Sequence, residues 1–156
     1  MPSANILLED EIPYLEHPYL CTIGKHGIML ELGAQPQGVS RMDIFLDCQE
    51  MLNHVLTYCD LVNQNNVPII PEFDAYRLLE NVQFPLDDEG AVAGLVHETL
   101  LDGDYKRVAV GAPIFRMFDG SEVLLQDEQA IYPHFINEAA YKNSKVAFAS
   151  ALKFKW

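Results

Sequence analysis

An apolar run that carries a single carboxylate opens the stretch GIMLELGAQPQGVSRMDI, residues 27–44. Its first part, residues 28–32, is apolar on both sides of Glu31 and predicts a buried strand that is covered on both faces. Residues 35–38 (QPQG) then break the run with a rigid turn. A carboxylate in such a strand is desolvated, which favours its neutral form and suits a general base. The alternative is a structural role, in which Glu31 pairs with an arginine or caps a backbone amide.

The hydrophobic period changes after Gly38 and predicts one long helix over residues 42–62. Ser40 is the expected N-cap, and Asp43 lies in the first turn, where the helix dipole favours an acid. An Asn- and Gln-rich run at residues 63–66, followed by two prolines, ends the helix and marks the predicted domain boundary. The apolar residues of this helix recur at three- and four-residue steps: Ile44, Phe45, Cys48, Met51, Leu52, Val55, Leu56, Cys59 and Val62.

β-Structure is predicted on both sides of this helix. A short strand is expected at residues 5–9, and the chain after residue 72 alternates apolar runs with turn residues. The pair Asp119-Gly120 is typical of a type I′ hairpin turn. Strand candidates in this second part are residues 73–84, 91–101, 112–118, 122–125 and 147–156. The predicted fold class is therefore α/β plus β, with a small α/β piece over residues 1–66 and a β-rich domain over residues 67–156.

Composition and charge exclude several classes of protein. Of the 156 residues, 49% are hydrophobic, which is typical of a globular chain rather than a disordered one. The formal charge of −13 repels phosphate backbones and anionic lipids, so neither nucleic acid nor a membrane is an expected partner. No basic, signal-like segment opens the sequence, and the three cysteines are odd in number and unevenly spaced. We therefore expect a cytoplasmic protein with free thiols that serve as apolar filler.

Short catalytic motifs are incomplete in this sequence. His97-Glu98 begins like the metalloprotease pattern HExxH, but the fifth position is Leu101. The five histidines form no i, i+4 pair on a helix, and none has a glutamate three residues later. A nucleophile elbow and a phosphate-binding loop are likewise missing from the sequence. We therefore expect no self-contained zinc site, since a catalytic zinc needs three rigidly held protein ligands.

Two longer motifs carry a family resemblance. Residues 27–44 resemble the pattern G-I-x-x-E-x-G-P-Q-P-Q-G-V-x-R-x-D-I of the aspartoacylase/succinylglutamate desuccinylase family, with Ala34 where a proline is usual. Residues 132–141 (YPHFINEAAY) give a second match, and shorter matches lie between the two in the same order. Members of this family are zinc-dependent amidohydrolases with a carboxypeptidase-like fold.

The resemblance implies a reaction and three site residues. Glu31 matches the family's general base, Tyr141 matches a tyrosine of the substrate pocket, and Glu138 matches a glutamate that supports this pocket. The implied reaction is the zinc-dependent hydrolysis of an N-acyl-L-aspartate, N-acetylaspartate above all, to acetate and aspartate. The substrate partner is then a small N-acyl amino acid.

Departures from the family pattern limit what the chain is expected to do alone. The family's zinc ligands, a His-x-x-Glu pair and a further histidine, belong upstream of the first strand of this sequence. Most substrate-binding arginines lie there too, and Cys21 occurs near the place where another is expected. Residues 1–66 are then the remnant of the catalytic domain, and the chain is an inactive C-terminal half that needs an N-terminal half or is a truncated gene product. The alternative is a non-catalytic module for binding, oligomerisation or regulation. In either case an uncovered strand at residues 28–32 favours self-association.

Overall fold

The chain folds as two compact units. The computed structural model describes three stretches, residues 5–33, 35–36 and 38–156. The first unit comprises residues 12–72, and the second comprises residues 5–11 together with residues 73–156. The strand expected near the N-terminus therefore belongs to the second, β-rich unit. The division at residue 66 into two family domains stays a prediction.

The first unit is built on one long helix. Helix α1, Met42–Asn63, confirms the predicted helix and extends it by one residue. Its N-cap is Arg41, with an extended backbone and no side-chain capping bond, so the prediction of Ser40 as N-cap is wrong. The Arg41 guanidinium instead donates to Asp43, which lies in the first turn as predicted. Two short 3-10 helices, Tyr14–Glu16 and Leu20–Thr22, precede α1.

Helix α1 is apolar on two sides, and one side remains largely exposed. Ile44, Met51 and Val55 follow each other at helical spacing and are half-buried. A second stripe at the same spacing is exposed and consists of Met42, Phe45, Leu52 and Leu56. A helix that is hydrophobic around most of its surface is typical of one that is covered on more than one side.

The apolar run before the helix is exposed as well. Residues 28–32 form no strand, and Ile28 is 63% exposed. The predicted buried strand is therefore wrong in this structure. A strand needs neighbouring backbone to accept and donate its hydrogen bonds, and no described strand lies in this unit to provide it. The sequence pattern indicated a preference for burial but could not indicate what would bury it.

One mixed sheet forms the backbone of the second unit. It contains β1 (Leu7–Leu8), β2 (Asp74–Gln83) and the last strand of the chain, β6 (Val146–Lys155). Strand β2 lies in the centre, parallel to β1 and antiparallel to β6. The predicted strands at 5–9, 73–84 and 147–156 are thus confirmed in position.

The second sheet is an antiparallel meander of β3 (Gly94–Val96), β4 (Pro113–Met117) and β5 (Glu122–Leu124). The predicted hairpin between β4 and β5 is confirmed, but its predicted type I′ turn is wrong. Gly120 has a φ of 90°, whereas Asp119 has no positive φ as a type I′ turn requires. The Gly120 amide donates to the Met117 carbonyl and the Met117 amide to the Ser121 carbonyl. These bonds describe a three-residue loop that uses glycine at its left-handed position.

A single apolar core joins the two sheets. Phe148 of β6 is fully buried, and its ring stacks 5.8 Å from that of Phe115 on β4. Removal of a buried phenylalanine ring from such a core costs roughly 3–5 kcal/mol. The other buried members of the core are Val96, Leu100, Val108, Ile114, Leu125, Ile131 and Ala147.

A histidine completes this interior without a hydrogen-bond partner. His134 has no exposed surface, and neither ring nitrogen has a partner among the described residues. Its ring stacks 5.2 Å from that of Tyr105 and lies 4.8 Å from that of Phe135. Burial lowers the pKa of His134, while the Tyr132 backbone and the Glu9 charge act weakly in the opposite direction. The imidazole is therefore neutral and behaves as an aromatic core residue.

Acid should destabilise the second unit through His134. Because its pKa is lowered in the folded state, the unfolded chain binds this proton more readily below the ordinary histidine pKa of about 6.5. The contribution to stability is complete above pH 6.5 and is lost as the pH falls through the folded-state pKa. We expect His134→Phe to flatten the pH dependence of urea unfolding between pH 7 and 5. The exposed-residue variant His26→Gln should retain the wild-type slope, and an unchanged slope in His134→Phe would contradict the assignment.

The exposed stripe of α1 should cause self-association. We expect the isolated chain to exceed its 17.6 kDa monomer mass by light scattering at micromolar concentration. Phe45→Lys with Leu52→Lys should shift it towards the monomer, whereas His54→Lys, at an exposed position on the opposite side of the helix, should not. A wild-type chain that remains monomeric would argue against an uncovered interface.

Candidate functional site

The proposed base, Glu31, lies in an extended segment of the first unit. Its side chain is exposed, so the predicted burial is wrong in this structure. The structural alternative is not observed either, since Glu31 forms no ion pair with any described arginine and Arg41 pairs with Asp43 instead. Gly33 and Gly38 follow this segment, and their φ values of 76° and 74° strongly favour glycine. The chain therefore bends on the C-terminal side of the carboxylate, at positions adapted to glycine.

The other two predicted site residues lie together on the second unit. Glu138 immediately precedes the 3-10 helix Ala139–Ser144, and Tyr141 lies within it. The Tyr141 amide donates to the Glu138 carbonyl at 3.1 Å. Glu138 is half-buried, whereas Tyr141 is 39% exposed and its ring lies 6.3 Å from that of Phe135. One turn of backbone thus fixes the spacing of both side chains.

An unusual backbone presents this turn. Phe135 and Asn137 have φ values of 53° and 57°, in the left-handed region that non-glycine residues rarely occupy. The Asn137 amide donates to the Ala147 carbonyl at 2.7 Å, which ties the segment to β6. The Ile136 amide donates to the Asp104 carboxylate at 3.4 Å. These bonds, with the buried ring of His134, hold a conformation that the local sequence alone would not favour.

Asp104 contacts the segment that leads into this turn, a contact that was not predicted from the sequence. Burial raises the pKa of the Asp104 carboxyl, and hydrogen bonds from the amides of Ile136 and Phe135 partly offset that effect. The residues around Asp104 in the sequence give no sign of this contact, because the amides that it binds lie some thirty residues later in the chain.

Lys145 secures the other end of the same turn. It has a left-handed φ of 59° and ends the 3-10 helix. Its ammonium group donates to the Gly90 carbonyl at 2.7 Å, and its carbonyl accepts a bond from the Phe84 amide at 2.9 Å. The segment that carries Glu138 and Tyr141 is therefore anchored at both ends.

A second polar cluster surrounds His97, which is 4% exposed. Arg116 donates to both carboxylate oxygens of Glu98, at 2.6 and 3.0 Å, and lies 3.1 Å from Glu122. The same guanidinium lies 2.9 Å from His97 Nε2, while His97 Nδ1 lies 2.8 Å from the Thr99 hydroxyl. The hydrogen bond from Arg116 lowers the pKa of Glu98 to about 2. The sequence suggested a broken metalloprotease motif here, but the structure shows an ion-pair network.

The described residues do not fit a zinc ion. Across residues 5–33, 35–36 and 38–156, no three His, Cys, Asp or Glu side chains converge on a common point. In the cluster around His97, the Arg116 guanidinium lies among the carboxylates where a cation would have to bind.

The cysteines Cys21, Cys48 and Cys59 are free, and the last two are exposed rather than apolar filler. Within the described chain, no helix has the length and apolar character needed to cross a membrane.

Comparison with known proteins identifies the family. The model of the AstE/AspA barrel-sandwich hybrid domain matches residues 71–153. The chain belongs to the AstE/AspA family. This match confirms the predicted family resemblance. The mixed α/β architecture of the structure is consistent with the family, whereas the carboxypeptidase-like fold stays a prediction.

Curated relatives of this AstE/AspA chain carry two kinds of name. An N-acyl-aromatic-L-amino acid amidohydrolase (carboxylate-forming) of Xenopus tropicalis is 41% identical over 96% of this chain and 48% of its own length. The human protein of that name is 44% identical over 86% of this chain and 42% of its own. An aspartoacylase of Danio rerio is 35% identical over 97% of this chain and 48% of its own. The chain thus spans about half the length of these relatives.

A solved structure gives the same result. The crystal structure of murine aminoacylase 3 matches with a TM-score of 0.79 and 41% identity. The match covers 86% of this chain and 45% of that chain.

Loss of the Arg116 guanidinium should release the Glu98 carboxyl. In Arg116→Gln we expect the pKa of Glu98 to rise from about 2 towards its ordinary value of 4.5, followed by NMR titration of the side-chain carbonyl. Because the folded-state pKa is lowered, this pair stabilises the protein above pH 4.5 and loses its effect as the pH falls towards 2. Lys142→Gln, which removes a cation outside the cluster, should leave the Glu98 titration unchanged. A Glu98 carboxyl that titrates near 4.5 in the wild type would contradict the ion pair.

Proposed function

We propose that this chain is the C-terminal half of an amidohydrolase that cleaves N-acyl amino acids to a carboxylate and a free amino acid. The observation that carries the proposal is the match of residues 27–44, with Glu31 at the base position, in a chain of the AstE/AspA family. The relatives named for N-acyl-aromatic amino acids are 38–44% identical, and the aspartoacylases are 33–35% identical. Both N-acetylaspartate and N-acetyl-aromatic amino acids are therefore candidate substrates.

Glu31 is assigned the general base. Its carboxylate accepts a proton from a water molecule as the water oxygen bonds to the acyl carbon. The carbon–nitrogen bond then breaks, and the proton passes to the departing amine, which leaves as the free amino acid. A carboxylate is a stronger base when it is shielded from water, so this role requires a covering surface over the exposed Glu31.

Tyr141 and Glu138 are assigned to the substrate pocket. The Tyr141 hydroxyl is a donor suited to a substrate oxygen, and Glu138 supports the turn that carries it. Support comes from the anchored 3-10 helix, which holds both residues on one turn with part of the tyrosine accessible. Loss of Tyr141 is expected to weaken substrate binding more than the chemical step.

The metal and the rest of the pocket are assigned to an N-terminal half. The family resemblance implies a zinc ion, and since no described group of side chains in this chain fits one, its ligands are proposed to lie on the complementary half. The exposed stripe of α1 and the exposed run at residues 28–32 are the surfaces proposed to meet that half. The free thiols accord with a cytoplasmic location, which we propose as well.

Fragment complementation tests this proposal. The chain is mixed with the part of murine aminoacylase 3 that it does not match, and acetate release from N-acetylaspartate and N-acetyltyrosine is measured. We expect release only from the mixture, and Glu31→Gln should lower it by about 10²–10⁴-fold, the usual contribution of a general base. Glu16→Gln, an exposed glutamate of the same unit, is the matched control.

Two outcomes would overturn the assignment. Hydrolysis by this chain alone, with one equivalent of bound zinc, would show that the active site is complete without a second half. A complex that forms but remains inactive, or one that Glu31→Gln does not impair, would favour the non-catalytic module.

A further inference from the structure

One depression in the second unit concentrates positive charge in a strongly acidic chain. It has a volume of about 620 Å³. Only ten residues of the chain are lysine or arginine, and the net charge is −13, yet four of these cations line this one depression. The lining includes a single acid. We call this site the basic depression and define it by Asp74, Arg77, Arg107, Gln129, Tyr132, Lys153, Phe154 and Lys155.

Regular backbone pairing brings these side chains together. The register of β2 and β6 places Asp74 opposite Lys155. The amide of Val108 donates to the Ile131 carbonyl at 2.9 Å, which holds Arg107 beside the segment that contains Gln129. The Tyr132 amide donates to the Ala151 carbonyl, also at 2.9 Å, and this bond joins the segment to β6. The cations therefore lie on hydrogen-bonded elements rather than on loose loops.

The carboxylates near the basic depression do not balance its cations. Asp74 is shared between Lys153 and Lys155, at 2.6 and 2.8 Å. Arg77 lies 3.2 Å from Asp10, and its guanidinium stacks 4.9 Å above the Phe154 ring.

Arg107 is the lining cation that no described carboxylate pairs with. It is exposed and makes no ion pair with any described residue. Counting the carboxylates that form ion pairs with the lining cations, four cations against Asp74 and Asp10 leave an excess of two positive charges. Asp127 and Glu128 precede the lining residue Gln129 but form no ion pair with these cations.

We propose that the basic depression binds a small organic phosphate monoester. A phosphate monoester carries about −1.5 to −2 charges at pH 7, which matches the excess of two positive charges. The planar fork of Arg107 can donate two parallel hydrogen bonds to phosphate oxygens, and the lysines add point charges.

The size and the surroundings of the depression select the ligand further. The depression is open to solvent, and its volume of about 620 Å³ exceeds what a lone phosphate fills, which leaves room for an organic part beside the phosphate. Tyr132, which is half-buried in the lining, offers ring surface to that part. The negative charge of the whole chain is screened beyond about 8 Å at physiological salt, so a local excess of positive charge can act at short range.

Calorimetric titration of the full chain with adenosine 5′-monophosphate and with glycerol 3-phosphate, starting from physiological salt, tests the proposal. We expect saturable binding that weakens as salt rises, and that weakens between pH 7.5 and pH 5 as the phosphate loses its second charge. Arg107→Gln should lower the affinity by roughly three- to tenfold, the usual range for a charged hydrogen bond near a surface. Asp74→Asn should raise it, because the substitution releases both lysines from their carboxylate.

Lys106→Gln is the matched control. Lys106 neighbours Arg107 in sequence, but its ammonium donates to the Asp102 carbonyl at 3.0 Å and does not line the depression. Its loss changes the net charge equally and should leave the affinity unchanged. Circular dichroism establishes that each variant remains folded, and Lys153→Gln provides a second weakened variant.

Three outcomes would overturn the proposal. In the first, no binding is detected at millimolar phosphate monoester. In the second, Arg107→Gln and Lys106→Gln weaken binding equally. In the third, chloride binds with the same affinity as the monoesters. Tighter binding of inorganic phosphate than of either monoester would show a simple anion site and would also contradict the organic ligand. The test does not involve Glu31 or an N-terminal half, so its result is independent of the proposed hydrolase function.

Discussion

The pairing of β2 with β6 is the constraint on which the second unit depends. It aligns two ten-residue strands that lie about sixty residues apart in sequence. On its other edge, β2 pairs with β1, from the start of the chain. Strand β6 contributes Phe148 to the apolar core. The segment at residues 132–137 is bonded along β6, so the turn that carries Glu138 and Tyr141 also depends on this pairing. Sequence-distant contacts of this kind close large loops, and the apolar core has to offset that entropy.

The sequence predicted regular elements well where one local period governs them. Helix α1 and the strand positions of the second unit follow from hydrophobic spacing, and the family resemblance follows from two long motifs. The turn at Asp119-Gly120 was placed correctly but typed wrongly, because a loop with one left-handed glycine and a type I′ turn share the same local residues. The N-cap failed for a related reason, since Arg41 and Asp43 form a side-chain pair next to Ser40.

The surroundings of the candidate site were predicted only in part. Glu138 and Tyr141 lie on one turn, but nothing in the local pattern indicated that Asp104 and His134 hold that turn in place. Both act through contacts made across the fold, Asp104 by accepting an amide hydrogen bond and His134 by ring stacking. For Glu31 the pattern predicted burial, which depends on a covering partner as much as on the apolar residues themselves. In the first unit, the hydrophobic pattern thus identifies residues that favour burial but does not identify the surface that would cover them.

Strand β6 is also a border of its sheet. Residues 149 and 151 pair with the segment at 132–134, but beyond them the strand continues to Lys155 past the last of these bonds. Unpaired strand backbone invites other strands to add to it, and charged lysine side chains are a common natural defence against such growth. Lys153 and Lys155 occupy this open border. Because the two lysines share the one carboxylate of Asp74, a net positive charge remains at this border and disfavours the addition of a strand from a second copy.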